Sequence, residues 1–213
     1  MAALPTDLFT EPDPDPYTLN QLGPLRPMAG IFEGREGLDI HPVATGDEET
    51  TYIERYELQP IDAQTNGPQL LYGLRYHVAI ARVEGGGAFH DQIGYWLWEP
   101  ATESVLLTVA IPRGQVALAS GHAAADASEF TVTANRGSTD FGICSNPFLE
   151  AGFRTTSFSM TVTTHADGTW SYDETTLLEI PGRPGHVAHR DVNTLHLVEE
   201  PMPNALARIA AAK

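Results

Sequence analysis

Bulky apolar side chains recur at every second position through much of the chain. The pattern is clearest over residues 70–80 and is repeated over residues 105–111. Two later runs, residues 158–162 and 170–180, show the same alternation. Because successive side chains of an extended strand point to opposite faces, a period of two predicts a β-strand in each run.

Short turn sequences separate these runs. Asp167-Gly168 lies between two of them and predicts a tight hairpin turn. Asn66-Gly67-Pro68, Gly85-Gly86-Gly87 and residues 100–103 are further turn candidates. Many short strands joined by short turns are typical of a sandwich or a barrel. Because both strand faces carry aromatic and apolar residues, we expect an all-β fold, a closed antiparallel barrel of about ten strands around a cavity.

The two ends of the chain differ from its middle. Residues 11–16 read Glu-Pro-Asp-Pro-Asp-Pro, and such closely spaced prolines exclude helix and sheet. Residues 1–22 are therefore expected to form a proline-rich N-terminal arm. The alanine-rich stretch after Pro203 predicts a short helix or a frayed end. The barrel is accordingly expected over residues 23–198, with residues 199–213 as a C-terminal tail.

The formal net charge of −16 restricts the partners that the chain can have. A negative field repels nucleic acid phosphates and anionic membrane surfaces, so we expect neither as a partner. The sequence has no apolar run near the roughly 20 residues of a membrane helix, and its first residues do not resemble a signal peptide. With Cys144 as its single cysteine it forms no internal disulfide, which fits a reducing compartment. We expect a cytoplasmic monomer or homodimer that binds a small molecule.

Eight histidines are the most conspicuous candidates for chemistry. On a strand, His186 and His189 would point to opposite faces, whereas His189 and Asp191 would share one, which is a weak pattern for zinc. The His-Glu-x-x-His motif of zinc hydrolases and the Gly-x-Ser-x-Gly motif of serine hydrolases are both missing. Carboxylate pairs such as Glu54 and Glu57 are expected on solvated faces. A single imidazole that faces an apolar cavity suits haem, which needs one strong axial ligand.

Two segments resemble the nitrobindin family, haem-binding barrels that are similar to fatty-acid-binding proteins. Residues 28–42 match the glycine-rich opening motif of that family through Gly30, Gly34, Gly37 and Pro42, with Phe32 in place of a tryptophan. Residues 89–96 match a second motif through His90, Gly94 and Tyr95, and the strand after it ends in Ile111-Pro-Arg113-Gly. Glycines at such positions let a strand bend sharply as a barrel closes.

The resemblance implies a lipocalin-like or fatty-acid-binding-protein-like barrel that holds ferric haem b. It implies His189 as the axial ligand of the iron, with His186 as the rival, since a short alternating strand follows His189. It places His90, Ile111 and Arg113 at the cavity, where Arg113 would reach a propionate or an anionic ligand. It further implies nitric oxide binding and leaves open a peroxynitrite isomerase activity. The alternative is a haem-free carrier of a small apolar ligand such as a fatty acid.

Overall fold

The computed structural model describes residues 7–83 and 87–212. Ten strands of this described part close into an antiparallel barrel. They are β1 (Gly30–Val43), β2 (Gly46–Pro60), β4 (Gln69–Arg82), β5 (Ala88–Glu99), β6 (Ser104–Ile111), β7 (Gln115–His122), β8 (Glu129–Asn135), β10 (Arg154–Thr164), β11 (Trp170–Glu179) and β12 (Val187–Glu199). Two short strands, β3 (Gln64–Asn66) and β9 (Ile143–Ser145), pair with β4 and β7. The expected closed all-β barrel is confirmed.

The first and last barrel strands are neighbours. β1 pairs with β2 along one edge and with β12 along the other, and β2 pairs with β4 to complete the ring. From β12 the ring continues through β11, β10, β8, β7, β6 and β5 to β4. Residues near the two ends of the chain therefore lie side by side, and Asp39 of β1 stands opposite Asp191 of β12.

The turns fall where the strands require them. Asp167-Gly168 joins β10 to β11, and Gly168 has a φ of +85° that favours glycine. Residues 100–103 join β5 to β6, and Gly67 lies in the turn between β3 and β4. Of the predicted turn at residues 85–87, Gly85 and Gly86 lie outside the described residues.

One end of the barrel is filled by side chains. Two 3₁₀ helices, Thr18–Asn20 and Gly23–Met28, enter this end, and Leu22 and Leu25 are fully buried in the core with Trp96 and Trp170. The C-terminal helix α2 (Ala205–Ala211) follows Asn204, whose buried side chain bonds to the N-terminal segment. Within the described ranges, no helix has the length and apolar character needed to cross a membrane.

Two glycines at a bulge in β1 leave room for polar side chains of the neighbouring strands. The pairing of β1 with β2 shifts register between Gly34 and Gly37. A Cβ atom on Gly34 would lie 2.3 Å from the side chain of Asn193, and one on Gly37 would lie 2.2 Å from the ring of Tyr52. The absence of a side chain at these two glycines therefore lets Asn193 and Tyr52 pack against the β1 backbone.

Candidate functional site

A cavity of about 680 Å³ lies in the other half of the barrel, beside the helix α1 (Pro147–Gly152). Its volume is within the range of sites that hold a small molecule or a cofactor. Much of its wall is apolar, formed by Pro42, Val78, Ile80, Phe89, Ile111, Phe148, Leu149, Phe153, Met160 and Leu178. The remaining wall is polar and carries an unusual concentration of carboxylates.

Four of the residues singled out by the sequence line this one cavity. His189 reaches it from β12, His90 from β5, Ile111 from the end of β6, and Arg113 from the turn that follows. His186 does not line it. The imidazole of His186 is half exposed and lies 3.6 Å from a carboxylate oxygen of Glu179.

His189 is held between two carboxylates. Its Nε2 atom lies 2.8 Å from Oδ1 of Asp39 and 3.3 Å from Oδ2 of Asp191. Burial lowers the pKa of His189, but the hydrogen bond with Asp39 and the charge of Asp191 outweigh it, so that the net shift is upward. The second oxygen of Asp39 lies 3.1 Å from Nδ1 of His41.

Three carboxylates stand side by side on adjacent strands. Asp39 on β1 is opposite Asp191 on β12, and Asp191 is opposite Glu174 on β11. All three line the cavity. Burial, reinforced by the charge of Asp191, raises the pKa of Glu174 to about 8. Burial also raises the pKa of Asp191, to about 6.

Glu54 is buried, and the expectation that it lies on a solvated face is wrong. Its side chain is only 4% exposed, and its Oε2 atom accepts hydrogen bonds from the Tyr172 hydroxyl at 2.8 Å and from the Asn193 amide at 2.9 Å. The hydroxyl of Tyr52 lies 2.7 Å from that of Tyr172. Burial raises the pKa of Glu54 to about 7 despite these hydrogen bonds. Its position on the inward face between two tyrosines, Tyr52 and Tyr56, was the sequence feature that could have revealed this.

The wall across from the carboxylates carries His90 and two arginines. Burial lowers the pKa of His90, although its hydrogen bond with Gln92 opposes the shift. The lowered pKa favours the neutral form of His90. Arg113 donates to the backbone carbonyl of Phe89 at 3.0 Å, and the guanidinium of Arg82 lies 5.8 Å from the Phe89 ring. These two arginines supply positive charge to a cavity that is otherwise acidic.

The residues present fit a haem group. A large apolar wall is available for the macrocycle, and Arg113 and Arg82 are available for its carboxylates. A histidine that ligates a metal commonly donates its other ring N–H to a carboxylate, and Asp39 is such a partner for His189. Among the described residues no such partner engages Nδ1 of His189, and Nδ1 is therefore the ring nitrogen left for iron.

Sequence reasoning missed most of the acidic wall. Asp39 lies within the glycine-rich segment near the start of the chain. Its contact with His189 depends on the pairing of β1 with β12, which the sequence of either strand alone does not predict. The spacing Asp39-x-His41 on β1 and His189-x-Asp191 on β12 was the available clue. It becomes meaningful only when β1 and β12 are known to be neighbours.

Comparison with known proteins agrees with this architecture. A family model described as a THAP4-like, heme-binding beta-barrel domain matches residues 21–196. Among solved structures, Rv2717c from M. tuberculosis superposes with a TM-score of 0.57 at 19% sequence identity, covering 88% of this chain and 100% of that one. At this identity the likeness shows the fold alone. The search of curated proteins found no match.

Proposed function

Because the chain belongs to the THAP4-like, heme-binding β-barrel domain family, we propose that its cavity binds ferric haem b with His189 as the axial ligand. Membership confirms the nitrobindin resemblance and supports haem as the cofactor. The observation that carries the assignment is the position of His189, which lines the cavity while Asp39 engages one ring nitrogen. His186 lies outside the cavity, which favours His189 over its rival.

Asp39 would orient His189 and strengthen it as a donor. A carboxylate that accepts the N–H of a ligating imidazole fixes the ring and raises its basicity. When bound, ferric haem supplies an iron whose remaining position is open to a small ligand. Neutral His90 would hydrogen-bond such a ligand, and Arg113 would attract an anionic one against the net charge of −16.

Nitric oxide binding and isomerisation of peroxynitrite to nitrate are the activities that we propose for this site. Peroxynitrite and nitrate contain the same atoms and carry the same charge, so the conversion needs no reductant. A cavity that already contains Arg113 and a neutral His90 offers both attraction for the anion and a hydrogen-bond partner for its oxygens. To test this step, the rate at which peroxynitrite absorbance disappears is measured by stopped flow for the protein with and without haem. We expect a faster loss with haem.

Haem titration of the purified chain tests the cofactor itself. Ferric haem is added to wild type, to His189→Ala and to His186→Ala, and absorption spectra are recorded side by side. A sharp Soret band is expected in wild type and in His186→Ala, and it should be lost or shifted in His189→Ala. Equally broad and weak spectra in all three proteins would overturn haem binding.

A carrier of a small apolar ligand is the second candidate. The apolar wall together with Arg113 and Arg82 suits the chain and the carboxylate of a fatty acid. A fatty acid carrier needs no axial histidine, so His189→Ala would leave binding of a fluorescent fatty acid intact. Fatty acid binding without a Soret band would favour this candidate.

A further inference from the structure

Two short motifs meet across the seam where the barrel closes. Asp39-x-His41 lies on β1 and His189-x-Asp191 lies on β12, and the two strands run antiparallel with Asp39 opposite Asp191. Residues at i and i+2 of a strand share one face, so all four side chains are placed on the same side of the sheet. The rings of His41 and His189 are 6.2 Å apart, and all four residues line the cavity. We call Asp39, His41, His189 and Asp191 the Asp–His block.

Three residues of the Asp–His block, Asp39, His189 and Asp191, have donor atoms with the spacing of a metal site. Nε2 of His189 lies 2.8 Å from Asp39 and 3.3 Å from Asp191, and one ligand atom from each of these three residues falls within 4.8 Å of the others. Bonds of about 2.0–2.2 Å to one ion place neighbouring donor atoms roughly 3 to 3.5 Å apart. An ion can therefore enter with small side-chain adjustments.

His41 is the first indication that a cation belongs there. Its Nδ1 atom is buried and has no hydrogen-bond partner within the part of the chain that the structure describes. The same atom lies 3.1 Å from Oδ2 of Asp39. A buried ring nitrogen is rarely left without a partner. A metal ion shared with Asp39 would provide one.

Glu174 is the second indication. It stands opposite Asp191 and lines the cavity, and no side-chain hydrogen bond or ion pair to it occurs among residues 7–83 and 87–212. The row of Asp39, Asp191 and Glu174 therefore places three carboxyl groups on adjacent strands, and Glu174 has an oxygen available for a cation bound beside Asp191.

We propose that the Asp–His block binds a divalent transition-metal ion. Two imidazoles and two carboxylates suit an ion of intermediate hardness such as zinc, whereas magnesium and calcium prefer oxygen ligands alone. Glu174 is placed to contribute a further oxygen. Metal binding here does not depend on haem binding. Haem binding through the other ring nitrogen needs the proton on Nε2 of His189 that Asp39 accepts, whereas zinc binding at Nε2 needs that proton removed. The two ligands therefore compete, and the zinc measurement belongs on haem-free protein.

Calorimetric titration of the full chain with zinc(II), after removal of metal by a chelator, tests the site. Wild type is expected to bind one ion, and Asp39→Asn/Asp191→Asn should lower the affinity at least about 100-fold, since even second-shell changes cost tenfold or more. Asp91→Asn is the matched control. Asp91 is exposed and forms a pair with His77, with 3.0 Å between their polar atoms, and neither residue belongs to the Asp–His block. That control should bind zinc as wild type does, and magnesium should not compete.

Thermal unfolding with and without zinc gives a second readout. Zinc should raise the Tm of wild type and of Asp91→Asn, but not that of the double variant. If the double variant does not fold, His41→Ala replaces it and must lower zinc affinity at least tenfold. Absence of zinc binding by wild type, or unchanged affinity in the block variants, would overturn the metal site. Ferric haem added to a zinc-free portion of the same protein gives the independent test, because a normal Soret band there would show that haem binding stands even if the metal site does not exist.

Discussion

The imidazole of His189 lies 2.8 Å from the carboxylate of Asp39, although 150 residues separate the two in the chain. The contact exists because β12 pairs with β1 and so closes the barrel. No local segment can form it, and any loosening of the seam between β1 and β12 separates the two side chains. The candidate site therefore forms only when the barrel closes.

Replacing Gly37 by alanine should disturb this seam. A Cβ atom at Gly37 would lie 2.2 Å from the ring of Tyr52, which is fully buried and hydrogen-bonded to Tyr172. Overpacking of this kind destabilises a protein by about 1–3 kcal/mol. Gly152→Ala is the control, since nothing lies within 4 Å of the new atom. Urea denaturation should separate the two variants, and equal stabilities would contradict the packing argument.

Glu54 should make the free energy of unfolding fall as pH rises. Its pKa is about 7 in the fold against 4.5 when exposed, so the folded state holds a proton more tightly than the unfolded chain does. Between these two pH values the folded state loses stability with rising pH, by on the order of 3 kcal/mol in total. Glu54→Gln removes this loss, and it should be more stable than wild type at pH 8 but not at pH 5.

Denaturation at several pH values measures the effect of Glu54. Glu57→Gln is the matched control, since Glu57 is on the outer face of the same strand. That variant should keep the pH dependence of wild type. If the plots of unfolding free energy against pH for wild type and Glu54→Gln are parallel, Glu54 does not titrate in this range.

Asn204 should stabilise the barrel by joining both ends of the chain to it. Its buried amide donates to the Pro16 carbonyl at 2.8 Å and to Asp62 at 2.6 Å, and its oxygen accepts from the Thr18 backbone at 3.3 Å. Asn204→Ala leaves the Pro16 carbonyl and the Thr18 N–H without these partners, whereas Asp62 still accepts from the Leu206 N–H at 2.9 Å. We expect a loss of about 1–3 kcal/mol of unfolding free energy. Asn135→Ala, at an exposed site, should change stability by less than about 0.5 kcal/mol. Similar losses in both would contradict a docking role.

The alternation of apolar residues was sufficient to predict the barrel and about ten strands, because a period of two is a local property that each strand carries by itself. It also placed His189 and Asp191 on one face. The acidic wall was not predictable in this way. Glu54 and Asp39 become neighbours of Tyr172 and His189 only through strand pairings that span more than 100 residues. Burial of a carboxylate also contradicts the average behaviour of its residue type.

Arg113 should contribute to haem affinity through the propionates alone. The side chain lines the cavity, and its guanidinium is anchored to the Phe89 carbonyl at 3.0 Å, which leaves further N–H groups for an anion. Arg113→Gln should therefore weaken haem binding by about three- to tenfold, as expected of an exposed charged contact. It should leave binding of haem dimethyl ester, which has no free carboxylates, unchanged.

Arg190→Gln is the control, because Arg190 pairs with Asp173 on the outer face of the barrel. Fluorescence quenching titrations with both porphyrins give the four comparisons. An equal loss for haem and its ester would mean that Arg113 acts through the shape of the cavity, and no loss for either would place the propionates elsewhere.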